Sequence, residues 1–154
     1  MSIVEACESK TNSTPEFPMG WYSVERSHQL AVGEVKPVQA FDRELVLYRT
    51  RSGKVALQDA FCPHLGAHLG HEGRVIGETI RCPFHGWQFD ADDGKCSHIP
   101  YCDEIPDRAR VRTWHTEERN GEIYLWFHPE NTPPQWDLPQ LPELGDPNWT
   151  APRY

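Results

Sequence analysis

At 154 residues the chain has room for one domain of ordinary size with its own core. Its formal charge of −8, with no basic run interleaved with aromatics, argues against nucleic-acid binding. Fourteen prolines, eleven glycines, six Trp, five Tyr and six Phe favour short strands and many turns over long helices, and no segment carries a 3.6-residue apolar period.

Residues 1 to 17 are polar and aperiodic, which predicts a disordered tail. The start, Met1 to Ala6, has neither the basic and apolar regions of a secretory signal nor a twin arginine. The longest aliphatic and aromatic runs, Leu45-Val46-Leu47-Tyr48 and Tyr124-Leu125-Trp126-Phe127, fall far short of the roughly 18 apolar residues of a membrane span. A soluble, cytoplasmic protein without a membrane span is the expectation.

From Trp21 the pattern becomes strand-like, with strands predicted over 32–41, 44–50 and 54–60, the last two joined by the turn Arg51-Ser52-Gly53. A short strand is expected over 74–80 and another over 87–90, closed by the turn Asp92-Asp93-Gly94. Residues 109–117 and 122–127 form a predicted hairpin about Asn120-Gly121, the strongest short-range turn signal in the chain. Beyond His128 the texture changes. Seven of the fourteen prolines lie between Pro129 and Pro152, so 129–154 reads as an extended strap or linker.

The chemistry lies between these strands. Cys62-Pro63-His64 is followed, after an intervening seventeen residues, by Cys82-Pro83-Phe84-His85. Two Cys/His pairs so spaced can chelate a metal centre with two thiolates and two imidazoles, each pair followed by a glycine within two residues, as loops folding tightly around a metal require. A [2Fe–2S] cluster of mixed ligation takes one Cys and one His from each of two loops, both cysteines on one iron and both histidines on the other. The same four residues would also serve a structural zinc site, or be buried without any metal. Cys7, Cys96 and Cys102 remain, an odd number and a poor disulfide framework.

The flanking residues narrow the choice. Cys62-Pro63-His64-Leu65-Gly66-Ala67-His68-Leu69 and Arg81-Cys82-Pro83-Phe84-His85-Gly86-Trp87-Gln88-Phe89-Asp90 resemble the two cluster loops of Rieske domains. Quinol-oxidising members typically carry an extra cysteine in each loop, where this chain has Ala67 and Phe84. The resemblance is therefore to the soluble Rieske domains of non-haem iron oxygenases and their ferredoxins. The stretch Gly94-Lys95-Cys96-Ser97-His98-Ile99-Pro100-Tyr101, with Cys82 to Asp90, looks most like ketosteroid hydroxylases and cholesterol 7-desaturases.

That resemblance implies an all-β Rieske fold: antiparallel sheets with a small cluster-binding subdomain, about 60–90, inserted in a β-sandwich-like base, the whole domain spanning 18–128. It implies Cys62, His64, Cys82 and His85 as ligands of a [2Fe–2S] cluster that carries one electron at a time. An NAD(P)H-dependent reductase or a ferredoxin would be the electron donor, and a mononuclear iron oxygenase domain the acceptor. Oxidised, such a cluster and its ligands sum to zero charge, and one electron leaves −1; backbone N–H groups of the loops would favour that state. The histidine side is expected to face solvent, with His64 and His85 as the electron exit.

The sequence departs from an oxygenase in one respect. No two-histidine, one-carboxylate set is evident among His28, His64, His68, His71, His85, His98, His115 and His128, and no catalytic residue is assigned. The expectation is thus the electron-relay domain of an oxygenase, with a stand-alone Rieske ferredoxin as the alternative. His68 and His71 read as bystanders. Trp87 reads as a core aromatic, or as a cover for the cluster or a contact for a redox partner. Pro63 and Pro83 stiffen loops that must keep their geometry through a redox change.

Overall fold

The computed structural model describes residues 17–145 and Asn148, and the expected tail lies outside the described residues except for Phe17. In chain order the strands are β1 Gly20–Arg26, β2 Val35–Ala40, β3 Arg43–Arg49, β4 Val55–Asp59, β5 Arg74–Ile76, β6 Thr79–Arg81, β7 Gln88–Asp90, β8 Cys96–His98, β9 Thr113–Trp114, β10 Thr116–Arg119 and β11 Glu122–Phe127. Two short 3-10 turns complete the regular structure, and no α-helix occurs among the described residues. None of the described helical segments is long and apolar enough to cross a membrane.

The strands form three antiparallel sheets in the orders β1-β11-β10, β2-β3-β4-β9 and β5-β6-β7-β8. The second sheet lies between the other two, which explains the unbroken apolar run of β3. Leu45 and Leu47 face one core with Leu57, Trp114, Ile123 and Leu125, while Val46 and Tyr48 face the other with Leu69, Val75, Ile80 and Phe89. All four residues of the run are wholly buried, as a strand covered on both faces must be. Each such aliphatic side chain contributes about 1.5–3 kcal/mol relative to exposure. The all-β expectation, a small sheet carried on a sandwich-like base, is what the chain adopts.

Several boundaries differ from the expectation. The single strand predicted over 74–80 is two three-residue strands, β5 and β6, joined by a hairpin in which Gly77 takes a φ of 58°. The strand predicted over 109–117 breaks at His115: Trp114 pairs with Leu57 of β4, whereas Thr116 pairs with Leu125 of β11. The chain thus passes from one sheet of the base to the other at that residue. β2 begins at Val35, because Gly33 and Glu34 are engaged in a turn held by Gly33 N–H to Arg49 O and Glu34 N–H to Ala31 O. β8, three residues long, adds a strand to the expected set. The Asn120-Gly121 hairpin forms as predicted, both residues at positive φ (55° and 79°), the conformation a two-residue turn of matching twist needs.

Past β11 the described part of the strap folds back over the first sheet. Trp21 Nε1 donates to Trp136 O (2.9 Å), Trp126 Nε1 to Thr132 O (3.0 Å) and Asn120 Nδ2 to Pro139 O (2.9 Å). The Trp136 ring stands edge-on to Trp126 at 4.6 Å.

Candidate metal centre

Two loops of equal length, one following β4 and the other joining β6 to β7 of the small sheet, are built alike. Each starts on a cysteine and is closed at its base by an antiparallel pair, Phe61 with His68 for the first and Arg81 with Gln88 for the second. Cys62 N–H donates to Ala67 O (2.9 Å) and Gly66 N–H returns to Cys62 O (2.9 Å). Cys82 N–H donates to Trp87 O (2.8 Å) and Gly86 N–H returns to Cys82 O (3.2 Å). Gly66 and Gly86 share a φ of 75°, a left-handed conformation that costs glycine nothing. Registered in this way, Cys62 matches Cys82, but His64 matches Phe84 and His85 matches Leu65. The one-residue offset between C-x-H and C-x-x-H is absorbed inside two otherwise equivalent turns.

The loops bring the four expected residues together. Cys62 and Cys82 are buried, 3% exposed each, and belong to the core of the small sheet. Both are free thiols. His64 and His85 lie outward and half-buried, their ring centroids 4.8 Å apart and planes at 73°. Burial first, and then the neighbouring Cys82, push the Cys62 thiol up to about 11, against the backbone N–H groups of His64 and Leu65 that hydrogen-bond its sulfur. The donors separate into an inner sulfur pair and an outer nitrogen pair. An inner sulfur pair and an outer nitrogen pair are the division of donors that a two-metal group of mixed ligation takes.

Aromatic residues frame the outer pair. Trp87 lies parallel to His64 at 4.6 Å and donates its Nε1–H to the Tyr101 hydroxyl (2.7 Å). Phe84 covers one side of His85 (3.9 Å) and is itself 64% exposed. Tyr101 carries no local sequence signal; the turn closed by Ile99 and Cys102 brings it to the site. His68, a bystander by sequence, closes the first loop: its Nδ1 accepts from Gly70 N–H (3.0 Å) and its Nε2 meets Glu44 Oε2 (3.1 Å). Burial and the adjacent His71 outweigh Glu44 and lower its pKa.

The family model for the Rieske [2Fe-2S] domain matches residues 20–115. The chain belongs to the Rieske [2Fe–2S] domain family. This Rieske domain is 41% identical over 148 residues to cholesterol 7-desaturase nvd of Xenopus laevis, covering 96% of the chain and 33% of that protein. It is 39% identical over 136 residues to a probable 3-ketosteroid-9-alpha-monooxygenase, oxygenase component, of Rhodococcus rhodochrous, covering 87% and 34%. The chain therefore spans about a third of the length of these relatives. Among solved structures, apo dicamba monooxygenase superposes with a TM-score of 0.72 at 30% identity, covering 83% of this chain and 39% of that one. The reduced complex between oxygenase and ferredoxin in carbazole 1,9a-dioxygenase gives 0.61 at 26%, covering 69% and 28%.

A Rieske domain binds a [2Fe–2S] cluster, and the residues present fit one. Two buried thiols and two imidazoles at the outer edge are the donor set that mixed ligation requires. His64 Nδ1 is a buried nitrogen without a hydrogen-bond partner among the described residues, and a bond to a metal would satisfy an atom that is otherwise costly to bury.

Proposed function

We propose that Cys62 and Cys82 hold the inner iron and His64 and His85 the outer iron of the cluster, and that the chain is the electron-relay part of a Rieske oxygenase. The supporting observation is the pair of equivalent loops, which buries both sulfurs and lays both imidazoles at the half-exposed edge. When bound, the cluster supplies a reversible one-electron couple, toward the low end of about −150 to +300 mV for Rieske centres. The residues of the chain keep water from the sulfurs, fix both imidazoles, and present them to a partner. Likeness to cholesterol 7-desaturases and a ketosteroid monooxygenase component supports a steroid or sterol substrate for the oxygenase this relay serves. An NAD(P)H-dependent reductase or a ferredoxin is the proposed donor and a mononuclear iron domain the acceptor. Free Cys96 and Cys102 agree with a reducing, cytoplasmic setting.

Replacing any one of the four ligands tests this reading. Iron content and the rhombic EPR signal of the reduced protein should be lost in Cys82→Ala and kept in Cys96→Ser and Cys102→Ser. A normal signal in Cys82→Ala sinks the ligand assignment. Supplied with reductase and NADH, the chain should pass single electrons to cytochrome c and should hydroxylate a steroid only when an iron domain is added.

A further inference from the structure

The hairpin that turns on Asn120-Gly121 is also where the far half of the strap is fastened. Both polar atoms of the Asn120 amide are committed to strap backbone: Nδ2 donates to Pro139 O (2.9 Å) and Oδ1 accepts from Leu141 N–H (3.0 Å). The near half is held elsewhere, by Trp126 Nε1 on Thr132 O, Arg112 Nη2 on Asn131 Oδ1 and Trp21 Nε1 on Trp136 O. Between residues 137 and 145 the strap's hydrogen bonds to the strands and hairpins, among the described residues, are the two made by Asn120. One side chain thus carries the polar attachment of that segment.

The same two residues carry a covalent reactivity. Glycine has no Cβ to keep its backbone nitrogen away from a preceding asparagine side chain, and Gly121 is exposed, with nothing within 4 Å of where a Cβ would stand. The Gly121 nitrogen attacks Asn120 Cγ and gives up its proton, the Cγ–Nδ2 bond breaks, and ammonia leaves with that proton. Water then opens the cyclic imide to an aspartyl or isoaspartyl residue. While the strap is fastened, its two hydrogen bonds keep the Asn120 amide turned toward Pro139 and Leu141 and off the Gly121 nitrogen. We propose that Asn120 is a modification site and the latch of the strap: the fastened strap guards the amide, and deamidation unfastens residues 137–145. The aspartyl product replaces the Nδ2–H donor by a second acceptor, a charged oxygen that faces Pro139 O and repels it. The turn itself survives, because Asp-Gly suits this hairpin as well as Asn-Gly does. The effect therefore falls on the strap contact and leaves the sheet intact.

The test uses the full chain with its cluster assembled, incubated at mildly alkaline pH, with conversion of Asn120 followed by mass spectrometry of its peptides. Leu141→Pro removes the N–H that Oδ1 accepts, and should deamidate at Asn120 tenfold or more faster than the unsubstituted chain. Equal rates would show that the strap does not guard the amide, and overturn the proposal. Amide hydrogen exchange reads the second half. In Asn120→Asp, exchange across 137–145 should quicken tenfold or more while the EPR signal of the reduced cluster stays as it was. Asn120→Gly, which keeps the positive φ of the turn without the amide, should loosen the same segment. Exchange in Asn120→Asp as slow as in the unsubstituted chain would mean that a carboxylate holds the strap as well as the amide does, and that Asn120 is no latch.

Discussion

Trp87 lies parallel to His64, ring centroids 4.6 Å apart and planes within 10°. Its indole N–H is held by the Tyr101 hydroxyl at 2.7 Å, so the ring can neither tilt nor slide without breaking a hydrogen bond. The first loop's imidazole is therefore oriented by a residue of the second loop.

Trp87→Ala should leave the four ligands in place but free the His64 ring. The expected outcome is a domain destabilised by about 2 kcal/mol, less than full burial of a Trp because this ring is only half-buried. Its visible absorbance should bleach several-fold faster in air. Tyr101→Phe should move both quantities in the same direction and less far. Bleaching at the unsubstituted rate in Trp87→Ala would show that the stack does not hold the ring.

Gly66 and Gly86 occupy equivalent places in the two loops at the same φ of 75°, yet their surroundings differ. A Cβ on Gly66 meets nothing within 4 Å, whereas one on Gly86 meets Pro100 Cγ at 2.9 Å and Arg81 at 3.2 Å. Gly66→Ala should cost only the left-handed backbone penalty, about 1–2 kcal/mol. Gly86→Ala should cost visibly more and displace Arg81, measured as thermal stability of the loaded protein. Equal losses would mean that backbone strain alone governs both loops.

Trp136 of the strap covers Trp126, which also meets Trp21 edge-on at 5.4 Å. Trp136→Ala should lower stability by about 1 kcal/mol. The cluster's EPR signal should be unchanged, because the sheet carrying Trp126 is separated from the cluster loops by the central sheet. A changed signal would refute that separation.

How much of this was legible depends on how local each feature is. Ligand types, spacing and loop glycines sit within a few residues of one another, so Cys62, His64, Cys82 and His85 stand out, and positive φ at Asn120-Gly121 is written in its two residues. The switch of sheets at His115 is not: Trp114 and Thr116 answer to different partners, Leu57 and Leu125, and their alternation resembles one strand. β5 and β6 are three residues each, too short for a period of two to show. The run Leu45 to Tyr48 announces a buried strand, but only packing on both faces says that alternate residues serve different cores. The arrival of Tyr101 at the site depends on register between strands, which no single segment encodes.

Tyr48 is the odd member of that run. It is wholly buried, and its hydroxyl has no hydrogen-bond partner among the described residues. Burial first, then the charges of Asp90 and Glu78, raise its pKa far above the usual tyrosine value. Tyr48→Phe removes an orphaned polar atom while keeping the ring, and should stabilise the domain at pH 7 by about 1 kcal/mol. The linkage fixes the sign at high pH. The unfolded chain loses the phenolic proton near pH of about 10 while the folded chain retains it, so stability is fully present below that point. Above it, stability falls by about 1.4 kcal/mol per pH unit on account of this group alone. Denaturant titrations of the two proteins between pH 8 and about 11 should therefore diverge, the phenylalanine variant lacking that part of the slope. Parallel curves would mean that the hydroxyl is solvated or paired in solution, and that Tyr48 is not the sealed residue the packing of the central sheet implies.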